Sequence, residues 1–408
     1  MFPDSHFQRK RLILNMINHL GPISRTSLIE LTAYRPATVG AIVGELLEKQ
    51  LIVESGSSSS GQGRKRIMLD MNKAHICGVG ISFTPTHAAF LISQYDGTIL
   101  VESELPLSGG SKNALVAQIT AHLQQLLEAN HDRFYAGIGI CKPLIDPMSY
   151  RNQSGPDSDP RAQWIQDLLA PGLEAATGLP TQVFSAVTLP AQAEHRFGAA
   201  KGTDDFIWVE LSNGIGTSIF SGGHAIGGAD GTAGELGHTL IPMEQPARLC
   251  YCGKPGCVES VAAWPALIGD IRQALHDGVI SCLQYGSAPE ELTVQDIKMA
   301  LDRKDPLCTH YVRRAARALG AAIANSVNLL NPRLIVLYGF MLELGTHFLQ
   351  PLEQAIRENT VFSSGDFELR ISTTSEKIMP LGAIANIFAA YLRMEDYRWV
   401  YQLDKTAL

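Results

Sequence analysis

The chain has 408 residues, of which 45% are hydrophobic and 18% charged, with a formal net charge of −7 and seven cysteines. This length allows two or three domains with their own cores, and the composition excludes a disordered or fibrous protein. No signal sequence is recognisable and no apolar run reaches about 18 residues, so we expect a cytoplasmic protein without membrane insertion. The odd number of cysteines favours reduced thiols in that compartment.

Charge is distributed unevenly along the chain. Residues 1–70 carry nine Lys and Arg against six Asp and Glu, a balance of +3. The remaining residues carry 24 against 34, a balance of −10. A basic N-terminus on an acidic body indicates that any contact with nucleic acid lies within the first 70 residues.

Three helices are predicted within the first 50 residues. The first has apolar residues at helical spacing and ends at Gly21-Pro22. Ser24 is a typical N-cap for the second helix, and Pro36 suits the first position of the third. The third helix has a predicted buried stripe, formed by Val39, Ile42, Val43, Leu46 and Leu47.

Two short predicted strands, 51–53 and 67–69, flank a loop at 55–66 that is rich in Gly, Ser and basic residues. Three helices followed by such a hairpin are typical of a winged helix-turn-helix domain, which we assign to residues 1–70. In that fold the third helix enters the major groove, and basic residues of the wing contact phosphates or the minor groove. The residues predicted to contact double-stranded operator DNA are Arg35, Ala37, Thr38, Ala41, Arg64, Lys65 and Arg66. The alternative is a helical packing module whose Ser/Gly tract is only a linker.

Beyond residue 73 the pattern alternates between strands, turns and helices, which indicates an α/β protein. Predicted strands include ICGVGISF, AGIGICKPLI and RLIVLYG, and FIWVELSNGIGTSIFSGG is predicted as a strand–turn–strand unit. A long helix is expected near 311–330.

Three cysteines lie within eight residues in the segment CYCGKPGC, as Cys250, Cys252 and Cys257. Three thiolates are suitable ligands for Zn²⁺, but a tetrahedral site needs a fourth. Gly253, Pro255 and Gly256 would let the chain turn tightly around an ion. The alternative is a set of buried reduced cysteines that binds no metal.

The segment GIGTSIFSGGHAIGGADGTAGELGHTLI, followed by CYCGKPGCVES, resembles the signature of the ROK family of repressors, open reading frames and sugar kinases. GIGICKPLID and ANSVNLLNPRLIVLYG resemble two further elements of that family. With the winged helix-turn-helix in front, the chain is similar to the Mlc/NagC/XylR-type repressor branch. The resemblance implies an α/β fold with an N-terminal winged helix-turn-helix followed by a two-lobed actin-like (ribonuclease H-like) ROK body.

The resemblance also implies the bounds of the two lobes, a zinc site and a sugar-binding site. The first lobe is expected at 71–187, rejoined by the C-terminal helix at about 380–408. The second lobe, at 188–379, would hold the zinc knuckle and a dimerisation surface. His238 matches the family position that supplies the fourth ligand of a structural Zn²⁺, and Glu235, His238 and Glu259 match its sugar-contacting positions. For these three, the alternative role is support of the zinc knuckle.

The family's kinase elements are altered in this chain. Where the family kinases carry Asp and Gly in the first phosphate turn, this chain has Gly80 and Phe83. The Asn-Asp catalytic pair corresponds to Ser185 and Ala186, and Tyr338 replaces the first Gly of a late pair. Phosphoryl transfer to a sugar needs a carboxylate near the reacting hydroxyl, which alanine cannot provide. The sequence therefore predicts no catalytic residues and no kinase activity.

We interpret the chain as a DNA-binding transcriptional regulator that represses genes of carbohydrate uptake or catabolism. It is expected to form a homodimer or tetramer and to bind a sugar or sugar phosphate effector in the altered cleft. One alternative is control by a protein partner, such as a sugar transporter component. A second alternative is a ROK sugar kinase with an accessory DNA-binding domain.

Overall fold

The computed structural model describes residues 6–58, 66–84, 86–107, 111–142, 163–229, 231–241, 248–285, 291–361, 367–374 and 377–392. This part of the chain divides into two compact units. The first comprises residues up to 142, 163–184 and from 379 onward, and the second comprises 185–378. The domain boundaries given above stay predictions. Within the described ranges, no helix has the length and apolar character needed to cross a membrane.

Helices and strands alternate along most of the chain. The strands are β1 (Ile23–Ser24), β2 (Ile52–Ser58), β3 (Arg66–Met71), β4 (Ile76–Phe83), β5 (His87–Gln94), β6 (Ile99–Pro106), β7 (Phe134–Cys141), β8 (Thr181–Phe184), β9 (Phe206–Leu211), β10 (Ile215–Ser221), β11 (His224–Ile226), β12 (Leu334–Tyr338) and β13 (Glu368–Ile371). The helices are α1 (His6–Leu20), α2 (Arg25–Thr32), α3 (Pro36–Glu48), α4 (Lys112–Glu128), α5 (Ala170–Thr177), α6 (Leu189–Phe197), α7 (Glu259–Ala262), α8 (Trp264–His276), α9 (Val294–Asp302), α10 (Pro306–Leu330), α11 (Thr346–Asn359) and α12 (Ile378–Leu392).

The N-terminal module has the three predicted helices and the predicted hairpin. The hydroxyl of Ser24 caps α2 by accepting a hydrogen bond from the backbone N–H of Ser27, 3.1 Å away. Pro36 stands in the first turn of α3, where its missing N–H removes no intrahelical hydrogen bond. A short strand that was not predicted, β1, adds to the hairpin and gives a three-stranded sheet of order β1-β3-β2.

Two details of this module differ from the sequence-based expectation. Leu47 is only half-buried, whereas the other four residues of the predicted α3 stripe are fully buried. The difference arises because the apolar stripe is narrower than the spacing suggests and Leu47 lies at its margin. Strand β2 continues to Ser58, so the connection between the two hairpin strands is shorter than the predicted loop at 55–66.

Helix α1 is attached to α12 within the first unit. The guanidinium of Arg11 is buried and donates a hydrogen bond to the carbonyl of Ala390, at 2.8 Å. The side-chain amide of Asn15 donates to the carbonyl of Leu392, also at 2.8 Å. These carbonyls belong to the last turn of α12. The carbonyls of a last turn have no hydrogen-bond donor within the helix, and a cation placed there is stabilising. The N-terminal module is therefore held to α12 by hydrogen bonds from both side chains.

The two larger sheets have the same topology. In the first unit the strand order is β6-β5-β4-β7-β8, and in the second it is β11-β10-β9-β12-β13. In each sheet the first three strands in sequence pair antiparallel and the two later strands join in parallel. Each sheet lies in its own apolar core, as the alternating pattern predicts for an α/β protein.

Candidate metal centre and nucleic-acid interface

The three clustered cysteines lie on a tight hairpin in the second unit. The backbone N–H of Cys250 donates to the carbonyl of Lys254 at 2.9 Å, and that of Gly253 donates to the carbonyl of Cys250 at 2.8 Å. Gly253 and Gly256 have φ values of +86° and +83°. Because side chains with a Cβ rarely adopt such values, these glycines allow the chain to turn twice within the cluster.

His238 completes the cluster from a short helical turn after Glu235. Its Nδ1 atom lies 3.7 Å from the sulfur of Cys250, and the sulfurs of Cys252 and Cys257 are 3.6 Å apart. The four candidate ligand atoms all lie within 4.8 Å of one another. Bonds of about 2.3 Å to a tetrahedral Zn²⁺ separate two sulfurs by about 3.8 Å. The four residues named from the sequence are thus brought together at a spacing that could hold a metal ion.

The protonation of the three thiols also fits metal binding. Burial is the main cause that raises the pKa of Cys250 and Cys257. Burial also opposes ionisation of Cys252, but the backbone N–H of Lys254 and the neighbouring thiols favour the thiolate and lower its pKa overall. Cys252 therefore gives up its proton more readily than Cys250 and Cys257, and a bound metal would displace the protons that remain on the thiols.

Of the three candidate ligand-binding residues, His238 belongs to this cluster, and Glu235 and Glu259 are its neighbours. The Nε2 atom of His238, on the side of the ring away from Cys250, lies 3.9 Å from a carboxylate oxygen of the exposed Glu235. Glu259 is only 6% exposed. Its Oε2 accepts a hydrogen bond from the backbone N–H of Ile215 at 2.8 Å, and its Oε1 is buried without a hydrogen-bond partner among the described residues. A buried carboxylate oxygen without a partner is costly, and a ligand hydroxyl would satisfy it.

Tyr251 is a neighbour of this group that the sequence reasoning missed. Its hydroxyl lies 3.2 Å from Nε2 of His238, and the two rings meet edge to face with centroids 5.4 Å apart. Burial, followed by its contact with the carboxylate of Glu259, raises the pKa of Tyr251, so the phenol keeps its proton. The sequence could have indicated this residue, because Tyr251 stands between Cys250 and Cys252 and must therefore lie next to the site.

The exposed face of α3 carries small residues. Ala37 and Ala41 are exposed as predicted, Thr38 is half-buried, and Arg35 is exposed at the N-cap. Gly40 and Gly44 complete the face at helical spacing, and a methyl group added at either would contact nothing within 4 Å. These two glycines were missed because they interrupt no pattern in the sequence. A helix with so small a surface can approach a groove closely.

The predicted wing residues fall partly outside the described residues. Arg66 is exposed at the first position of β3. Arg64 and Lys65 lie outside the described part of the chain, so their role in binding DNA stays a prediction.

Three of the four altered kinase positions have close neighbours within their own units, and the fourth, Ala186, is buried. A Cβ atom on Gly80 would collide with the backbone carbonyl of Pro380 in α12, and the ring of Phe83 packs edge to face on Trp164 with centroids 6.0 Å apart. Tyr338 stacks on Trp208 with ring centroids 5.5 Å apart.

Over nearly its whole length, this chain is similar to known transcriptional regulators. The ROK family model matches residues 78–384. The xylose repressor of Bacillus subtilis (strain 168) is 26% identical over 399 residues, which cover 96% of this chain and 98% of that protein. A solved ROK family transcriptional regulator, a homologue of the Escherichia coli Mlc protein, superposes with a TM-score of 0.78 at 24% identity and covers 98% of this chain and 99% of its own.

A solved ROK hexokinase from Thermus thermophilus matches a smaller part of the chain. Its TM-score is 0.61 at 24% identity, and the match covers 77% of this chain and 98% of the hexokinase. At this identity the likeness establishes the fold alone. The two-lobed ROK body predicted from the sequence is confirmed, with a winged helix-turn-helix in front of it.

Proposed function

This chain belongs to the ROK family, and from that premise we propose that it is a DNA-binding transcriptional repressor of genes for carbohydrate uptake or catabolism. The observation that carries the proposal is the N-terminal module, in which α3 presents a small, exposed face suited to a major groove. The match to a named repressor extends over 96% of the chain. A DNA-bound repressor acts on the chromosome, so the cytoplasm stays the expected compartment.

We expect the protein to act as a homodimer or tetramer on paired half-sites. A single winged helix contacts only a few base pairs, and symmetry-related copies multiply both affinity and specificity. Genome-wide mapping of binding sites tests this function. Sites with two-fold symmetry upstream of sugar transport or catabolic genes are the expected result. Sites without any association with such genes would contradict the carbohydrate assignment.

We propose that His238, Cys250, Cys252 and Cys257 hold one structural Zn²⁺ per chain. Three sulfurs and one imidazole nitrogen are a donor set that Zn²⁺ binds tetrahedrally, and four protein ligands leave no open position for catalysis. A metal on Nδ1 of His238 would fix the ring and place the Nε2 proton toward Glu235 and Tyr251. The ion would then support the neighbouring polar site without touching its ligand.

We further propose that Glu235, His238 and Glu259 contact the hydroxyl groups of a sugar or sugar phosphate effector. The support is the buried Oε1 of Glu259, which has no hydrogen-bond partner within the described residues. An effector changes operator affinity only if it binds two arrangements of the protein with different affinity. Control by a transporter component is the second candidate, favoured if no sugar binds.

We expect no ATP-dependent phosphorylation of sugars. An Asp at position 80 has no room because the Pro380 carbonyl fills the space, and Ala186 offers no carboxylate for proton transfer. Purified protein is incubated with ATP, Mg²⁺ and a panel of hexoses and pentoses, and ADP release is measured against a ROK hexokinase as the positive control. Turnover that rises with sugar concentration would contradict the loss of kinase function.

A further inference from the structure

Tyr251 lies inside the polar group formed by Glu235, His238 and Glu259. The residue is 41% exposed, yet its hydroxyl lies 3.2 Å from Nε2 of His238. The edge-to-face contact between the two rings, with centroids 5.4 Å apart, holds this orientation. A side chain that could extend into solvent is therefore folded back onto the candidate ligand site.

The hydrogen bond between Tyr251 and His238 has a defined direction if Nδ1 binds a metal. Nδ1 faces the sulfur of Cys250 at 3.7 Å, so metal binding there leaves the ring proton on Nε2. The Nε2–H then donates to the phenol oxygen of Tyr251. The phenol O–H then faces the carboxylate of Glu259, with which Tyr251 interacts. The buried Oε1 of Glu259 accepts no other hydrogen bond in the part of the chain that is described.

A sugar hydroxyl would make the same two hydrogen bonds. Like a phenol, it accepts one hydrogen bond and donates another. The phenol oxygen holds this position, 3.2 Å from Nε2 of His238. On Glu259 only Oε1 is left to accept from a hydroxyl there, because Oε2 already accepts from the backbone N–H of Ile215. The phenol and a ligand hydroxyl therefore compete for one place.

We propose that Tyr251 is an internal occupant of the effector site, and that a sugar binds by displacing its hydroxyl from His238. This inference rests on the proposed role of Glu235, His238 and Glu259 as effector contacts. Before a sugar can bind, the hydrogen bond between Tyr251 and His238 must break. This cost lowers the apparent affinity for the sugar by about 3- to 10-fold. Tyr251 thereby sets how much sugar is needed to occupy the site.

Calorimetric titration of three chains tests the proposal: wild type, Tyr251→Ala and Tyr251→Phe. Each chain is titrated with D-xylose, D-glucose and N-acetyl-D-glucosamine, and its zinc content is measured in parallel. We expect at least one sugar to bind Tyr251→Ala about 3- to 10-fold more tightly than wild type. Tyr251→Phe loses the same hydrogen bond but keeps the ring, so it is expected to bind the sugar more tightly than wild type and no more tightly than Tyr251→Ala.

Tyr311→Phe is the matched control. Tyr311 also meets a histidine edge to face, His310, with centroids 5.0 Å apart, but it lies on α10 outside the site. The sugar affinity of the Tyr311→Phe variant is expected to equal that of wild type. If Tyr251→Ala loses zinc, the comparison between the two phenylalanine variants decides the question.

Two results would overturn the proposal, and they differ from each other. Equal or weaker sugar binding by both Tyr251 variants would show that the phenol does not compete with the ligand, while the effector site itself would stand. If no sugar binds any zinc-loaded chain, the effector site is wrong and the role of Tyr251 is wrong with it.

Discussion

Cys257→Ala is expected to abolish metal binding and to unfold much of the second unit. Structural zinc contributes about 10 kcal/mol or more of folding free energy in small domains. Whole proteins are stable by only about 5–15 kcal/mol. Cys257 is fully buried, and its removal would leave only two sulfurs and one nitrogen to hold a metal ion. The folding free energy lost with this ligand is therefore comparable to the stability of the whole protein, and the second unit is expected to unfold in large part.

Metal analysis and thermal unfolding of the purified chains measure this effect. Wild type is expected to contain one zinc per chain, and Cys257→Ala none, with a lower melting temperature. Cys282→Ala is the control, because Cys282 is a half-buried thiol in the same unit but outside the cluster. It should retain zinc and melt close to wild type. Freshly purified wild type without zinc, or a Cys257→Ala chain with unchanged melting, would contradict the assignment.

Several features were predictable because they depend on neighbours in the sequence. The Ser24 cap, the start of α3 at Pro36 and the strands β4 and β12 follow from local spacing and turn chemistry. The close approach of three cysteine sulfurs follows from their separation by one and four residues. Such patterns can be recognised in the sequence because they depend on residues a few positions apart.

The features that were missed depend on contacts between distant segments. The attachment of α1 to α12 joins Arg11 to Ala390, and neither residue carries a signal for the other. Glu259 accepts a hydrogen bond from Ile215, which binds one carboxylate oxygen and leaves the second without a partner. Tyr251 was overlooked because its inward orientation depends on the position of His238 in the folded chain.

The second large effect is expected at the exposed face of α3. Ala41→Glu places a carboxylate on a face that otherwise carries Ala37, Gly40 and Gly44, where the helix would meet the negatively charged groove. Because a buried like-charge contact costs several kcal/mol, operator affinity should fall by about 100-fold or more. Glutamate is a good helix former, so the helix itself should lose only a few tenths of a kcal/mol.

Ala121→Glu is the matched control for this substitution. Ala121 is likewise an exposed alanine within a helix, α4, but this helix lies in the α/β part of the first unit and not in the N-terminal module. Fluorescence anisotropy with operator DNA at one fixed salt concentration compares the two variants with wild type, because protein–DNA affinity depends steeply on salt. The control should bind operator DNA as wild type does, since it changes the net charge equally without altering the groove contact.

Equal operator binding by Ala41→Glu and wild type would mean that α3 does not enter the groove. Equal losses in both variants would assign the effect to overall charge.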